Sequence, residues 1–181
     1  MIDIKKYQVI YADPPWKYNF SPSNKAKIEQ YYKTMDNQDI INLPINKITD
    51  INCVLYLWAT APKLIEALNV MKGWGFSYKT NAIWDKDCLG MGYWFVGQHE
   101  ILLVGTKGIV SPPKPKFRVS SIYTEKKKLH AVKPSYFRDT IARSFPNVNK
   151  IELFARTKTE GWDVWGDEID SDINLFYDTN K

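Results

Sequence analysis

The sequence predicts an α/β fold, a sheet of buried strands with helices packed against it, and three observations predict it. Short apolar runs recur along the chain, at Val9, Ile10 and Ala12, at Val54–Trp58, and at Ile101–Val104. Runs of this length, bounded by turn residues, read as buried strands. Between and after them, Leu64, Ile65, Leu68 and Met71, and then Phe137, Ile141 and Phe145, repeat at helical spacing, so each stretch turns one face to a sheet. The first strand is cut off by Asp13-Pro14-Pro15-Trp16, and the carboxyl ends of strands are where open α/β sheets bind ligands.

The elements follow in order. Val9, Ile10 and Ala12 end at Asp13 because Pro14 and Pro15 cannot donate to a ladder and hold their predecessors extended. Residues 17–33 show no clean period and read as a functional loop, with Tyr18, Phe20, Tyr31 and Tyr32 close to the proposed site. Asp36 is placed to cap a short helix through Ile40, Ile41 and Leu43, ended before Pro44. Val54–Trp58 is apolar without alternation, as in a central strand covered on both faces. Pro62 falls in the first turn of the next helix, which Gly73 and Gly75 end.

Tyr78–Trp84 is the third strand, followed by a glycine-rich loop over Asp85–Gly97. Gly90-Met91-Gly92 lacks the third glycine and the following helix of a phosphate-cradling turn. Ile101–Val104 is another strand, and a basic loop runs from 107 to 133. Lys133-Pro134 opens a helix, so side chain and helix N-terminus together present positive charge suited to an anion. Lys150–Arg156 is expected as the last strand, with Trp162 and Trp165 packing beyond it. A single domain over 1–169 follows, with an acidic tail, 170–181, expected to be loosely ordered.

Composition bounds the function. With 181 residues, 44% hydrophobic and 25% charged, the chain buries a real core and is not of disordered type. No apolar run approaches the ~18–20 residues that span a bilayer, and Met1–Lys6 lacks the apolar stretch of a signal peptide. A cytoplasmic protein without membrane contact is expected. Cys53, Cys88, His99 and His130 give no metal spacing and no disulfide framework, so no metal is expected. Charge is uneven. Residues 160–181 hold seven acids against Lys181, while 107–138 hold nine bases against Glu125. Within that basic block Lys116, Arg118, Lys126, Lys127 and Lys128 are candidate phosphate contacts on a nucleic acid.

The tetrapeptide has a chemistry of its own. An ionised Asp13 only accepts hydrogen bonds, as does the Pro14 carbonyl. Two adjacent acceptors suit an –NH2 group. An aromatic amine is a poor nucleophile because its lone pair is delocalised, and gripping both hydrogens in tetrahedral geometry favours the transition state over the flat ground state. Trp16 offers a face on which a base would stack, a contact of about 1–3 kcal/mol in single-strand binders.

On Asp13-Pro14-Pro15-Trp16, and on Val54–Thr60, Gln98–Gly108 and Lys150–Arg156 in the same order, the sequence resembles the MT-A family of adenine-N6 methyltransferases from about Tyr7 to about Glu168. The resemblance implies a Rossmann-like S-adenosylmethionine-dependent methyltransferase fold, mostly parallel with helices on both faces. It implies S-adenosylmethionine as methyl donor and transfer to adenine N6 in nucleic acid. It assigns catalysis to Asp13, Pro14, Pro15 and Trp16. It assigns the cofactor to Asp13, Lys133 (against the methionine carboxylate), Phe154 (against the adenosine), Arg156, Lys158, Thr159, Asp167 and Glu168. The target base is expected beside Trp16, Tyr18 and Tyr32. Lys158-Thr159 and Asp167-Glu168 stand where the eukaryotic enzymes have His-Asn and Asn-Gln. The small size and lack of added domains resemble bacterial and phage modification enzymes, so DNA is favoured over RNA. A non-catalytic nucleic-acid-binding subunit is the alternative, which the intact signature and Lys133 oppose. Pairing of two such domains, as homodimer or heterodimer, is common in the family.

Overall fold

The computed structural model describes residues 5–18, 34–127 and 132–176. Tyr32 and Lys128, with Phe20 and Tyr31, lie outside the described residues. In chain order the elements are β1 (Tyr7–Ala12), α1 (Asn37–Ile41), β2 (Thr49–Thr60), α2 (Leu64–Gly73), β3 (Ser77–Asp85), β4 (His99–Lys107), β5 (Ile122–Thr124), α3 (Ser135–Ser144), β6 (Lys150–Leu153) and β7 (Asp163–Trp165). The strands form one sheet in the order β5-β3-β4-β2-β1-β6-β7. β1 pairs in parallel with β2 and β6, β6 with β7, and β3 with β5, whereas β4 is antiparallel to both β2 and β3. The fold is the mostly parallel α/β sheet expected, with β4 alone reversed.

Alternation along the strands divides the core in two. Ile10, Ala12, Leu55, Leu57, Ala59, Ile101 and Leu103 face one layer, which includes Ile40 of α1 and Ala67, Val70 and Met71 of α2. Val9, Tyr11, Val54, Tyr56, Trp58 and Leu102 face the other, with Phe137 and Ile141 of α3. β1 and β2 are therefore apolar on both sides, which is why their sequences lack a polar period. β1 lies between β2 and β6. The intervening helix α1 covers one face and α3 the other, so a crevice opens at the carboxyl end of β1.

Several expectations are corrected. Of the stripe expected in α2, Ile65 is 73% exposed; the buried residues are Ala67, Val70 and the expected Met71, with Leu64 and Leu68 partly buried against the core. Asp36 precedes α1 but makes no side-chain cap bond; its carboxylate pairs with Lys17. Lys150–Arg156 is not the last strand. It ends at Leu153 because Phe154 takes a left-handed φ of 62°, and β7 then adds a further strand on β6. The basic loop contains β5, a short edge strand on β3. From Asp170 onward the chain, expected to be loose, is tied down as far as Leu175. Asp172 accepts from the Val164 N–H, and Leu175 is buried in the core.

Candidate active site

The turn after β1 is fixed from three sides. The Asp13 N–H donates to Leu153 of β6 at 3.5 Å, and the Met35 N–H donates to the Pro15 carbonyl at 2.9 Å. The Trp16 indole donates to the Trp58 carbonyl at 3.1 Å. Trp58 itself is fully buried. Its indole donates to the Tyr11 hydroxyl at 2.6 Å, and its ring meets Phe137 edge-on at 5.1 Å. Trp58 thus ties the turn after β1 to the core.

Asp13 meets the helix α3 at its entry. The Lys133 ammonium donates to Asp13 Oδ2 at 2.7 Å and lies 3.2 Å from Glu100 Oε2, and the other Glu100 oxygen, Oε1, lies 3.6 Å from the Lys86 ammonium. The four charges alternate in sign, so each is compensated within the low-dielectric wall. Lys133 also sits 5.5 Å over the Trp58 ring, a further cation–π contribution. Burial, with Glu100 adding to it, pushes the Asp13 carboxyl above its ordinary range, against the opposing pull of Lys133 and Arg156. For Lys133 burial acts to lower proton affinity, but Asp13 and Glu100 outweigh it and hold the ammonium charged. The Pro14 carbonyl accepts the Trp16 N–H at 2.9 Å and keeps a second lone pair.

These groups border an open cavity of about 200 Å³. Of the residues singled out in the sequence, Asp13, Pro14, Pro15, Trp16, Tyr18, Lys133, Phe154, Arg156, Asp167 and Glu168 all line it. Lys158 and Thr159 do not. The Lys158 ammonium is held by Asp172 at 2.9 Å, and the Thr159 carbonyl caps a turn by accepting the Trp162 N–H. Lys116, Arg118, Lys126 and Lys127 are exposed and outside the cavity. Trp16 is 5% exposed with its indole edge engaged, so it packs the turn rather than offering a free stacking face.

The far wall comes from β6 and β7. Phe154, in the left-handed region, turns its ring to Trp165 at 5.4 Å, and Arg156 lies 3.8 Å from Glu168. A non-glycine residue in that region costs of order 1 kcal/mol and recurs at ligand sites. Gly166 lets the two segments touch, because a Cβ there would lie 2.2 Å from the Ala155 carbonyl oxygen. Gly166→Ala is expected to cost about 2 kcal/mol by forcing these backbones apart. That corresponds to a melting temperature roughly 4–8 °C lower, measurable by differential scanning calorimetry.

Sequence reasoning missed Glu100, Thr60 and Trp58, all of which border the cavity. Glu100 had a signal, a lone acid at the head of the apolar run Ile101–Val104. Thr60 closes β2 and shares a 2.6 Å hydrogen bond with the Tyr18 hydroxyl.

A mostly parallel α/β sheet of this kind is the fold of an S-adenosylmethionine-dependent methyltransferase, and the adenine-N6 class follows from the family to which the chain belongs. The chain matches the MT-A70 family model over residues 7–168 and belongs to that family. It is 36% identical over 183 aligned positions to the Type II methyltransferase M.MunI of Mycoplasma sp, covering 91% of this chain and 78% of that one. It is 26% identical to the N(6)-adenosine-methyltransferase catalytic subunit METTL3 of Homo sapiens and 24% to the N(6)-adenine-specific methyltransferase METTL4 of Mus musculus. It covers 28% and 38% of those longer proteins.

Proposed function

We propose that the protein transfers a methyl group to the N6 amine of adenine in DNA, at Asp13. The observation supporting this most directly is the placement of Asp13 and Pro14 side by side in the cavity lining, with Lys133 fixing the Asp13 carboxylate. Lys133 contacts Asp13 through Oδ2, and Oδ1 takes no donor among the described residues, so it is available to an amine hydrogen. The Pro14 carbonyl accepts the other. The amine nitrogen is thereby turned from flat towards tetrahedral, with its lone pair aimed across the cavity, and positioning supplies much of the rate. As the N–C bond forms, the amine sheds a proton, and the heightened proton affinity of Asp13 suits it to receive that proton.

The cavity wall fits S-adenosylmethionine by its donor set. Lys133 and Arg156 would hold the carboxylate, Asp167 and Glu168 the ribose hydroxyls, and Phe154 with Trp165 the adenine face. Acids accept from ribose hydroxyls in dinucleotide folds in the same way. The cofactor, when bound, supplies a methyl group made electrophilic by sulfonium. Tyr18, held by Thr60 on the cavity wall, would face the incoming base.

DNA is favoured over RNA because identity is higher to the bacterial Type II methyltransferase than to relatives named for adenosine. Radiolabelled methyl incorporation into matched DNA and RNA oligonucleotides tests both levels of the reading. Incorporation into DNA at adenine N6, at least tenfold above RNA, is expected. Preference for RNA would overturn the substrate, and no incorporation into either would overturn the reading.

A further inference from the structure

The loop between β3 and β4 displays its apolar side chains instead of burying them. Leu89, Met91, Tyr93, Trp94, Phe95 and Val96 are 49–94% exposed, with Trp94 at 94% and Phe95 at 90%. Scattered apolar residues at a surface are ordinary, but a contiguous set marks an interaction site.

This loop is built. Its stem continues the β3–β4 ladder, with Asp85 opposite His99 and the Lys86 N–H on the Gln98 carbonyl at 2.9 Å. Gly90 donates to the Gly97 carbonyl at 2.8 Å, and Gly97 donates back to Met91 at 3.1 Å, closing the neck. At the tip a Cβ on Gly92 would lie 1.9 Å from the Phe95 carbonyl oxygen, so glycine is required for the turn. Asp85 pins the stem, accepting from Gln98 at 2.8 Å and from Thr124 at 3.2 Å.

Two further placements point to the occupant. The stem touches the active site, since Lys86 pairs with Glu100, which pairs with Lys133 on Asp13. Trp94 is four residues from Gln98, within about 14 Å along even an extended chain. The basic segment also lies on the stem. Glu125 and Lys127 donate to the Asp85 and Lys86 carbonyls at 3.1 Å each, setting exposed Lys126 and Lys127 beside the loop. Aromatic faces flanked by lysines match a polyanion with stacked bases. A two-fold contact centred on this loop would set the lysines of a second copy against the same lysines.

We propose that loop 90–97 is an aromatic wedge that enters the stack of a DNA duplex beside the adenine being extruded, so that Trp94 and Phe95 decide whether paired DNA is a substrate. The inference rests on the reading of the site as a DNA adenine methyltransferase. Apolar side chains inserted between base steps unstack and kink duplexes in this manner, and chemistry on a paired base requires its extrusion.

The test uses the full chain, with the exposed pair changed together (Trp94→Ala, Phe95→Ala), and one target strand presented unpaired or in duplex. Methylation of the duplex is expected to fall at least tenfold further than methylation of the unpaired strand. An equal fall on both, or none, overturns the wedge. A wild-type enzyme that methylates only unpaired DNA also overturns it while leaving the proposed function intact. A second readout is independent of methyl transfer. 2-Aminopurine placed at the target in a duplex should brighten on binding wild-type protein and stay dark with the variant. Brightening by both overturns the wedge even if no methylation is seen, whereas wild-type brightening without methylation would sink only the proposed chemistry. A dimer of the free protein that the same substitutions dissociate would assign the loop to a second copy, and also overturns the proposal.

Discussion

Asp13→Asn is expected to lower methyl transfer roughly a thousandfold with little change in melting temperature. The amide keeps the shape of the side chain but replaces one acceptor oxygen by a donor, which meets the amine hydrogens with a hydrogen of its own. Losing one well-placed transition-state hydrogen bond is worth a hundredfold to a thousandfold in rate, and here the proton acceptor is lost as well. The fold has reason to survive, because Lys133 keeps Glu100 at 3.2 Å as a partner. Single-turnover methyl transfer beside a thermal melt measures both. Activity above a tenth of wild type would remove Asp13 from the chemistry.

Lys133→Met is expected to be the most destabilising change at the site, by about 3 kcal/mol at neutral pH. Asp13 and Glu100 would then face one wall without the ammonium between them, and removing one partner of a buried ionic cluster strands the rest. The deficit should depend on pH. Burial already lifts the proton affinity of Asp13, with Lys133 pulling against it. Without Lys133 the folded carboxyl binds its proton more readily than the unfolded chain does. Falling pH therefore favours the folded variant, and the gap in melting temperature from wild type should be smallest near pH 5 and widen through neutrality. A gap that stays constant over that range would show that the ammonium does not hold the carboxylates.

The parts of this molecule legible in the sequence are those whose pattern follows from burial. β1, β2 and β4 announce themselves because both faces are covered, and α3 because Phe137 and Ile141 anchor one stripe. The short edge strands were not legible. Ile122-Tyr123-Thr124 and Asp163-Val164-Trp165 are three residues each, and only Val164 among them is buried. The reversal of β4 leaves no mark either, since a strand covered on both faces reads alike in either direction. In α2 the bulky Ile65 suggested part of the packed face, but it is exposed, and the small Ala67 is buried instead. Asp13 and Lys133 could be singled out from local chemistry, a carboxylate after a strand and a lysine before a helix. Their meeting across 120 positions of sequence is a property of topology, as is the presence of Glu100 between Lys133 and Lys86.

The alternation along β1 has a consequence for the turn that follows it. Val9 and Tyr11 point to the layer of α3, and Ile10 and Ala12 to the opposite one. Asp13 falls on the odd count, the side from which Lys133 comes. The aim of the Asp13 carboxylate is thus a matter of parity. Lengthening or shortening that segment by one residue would exchange the two layers of the core and leave the acid addressing the wrong side of the sheet, though every residue of the motif were still present.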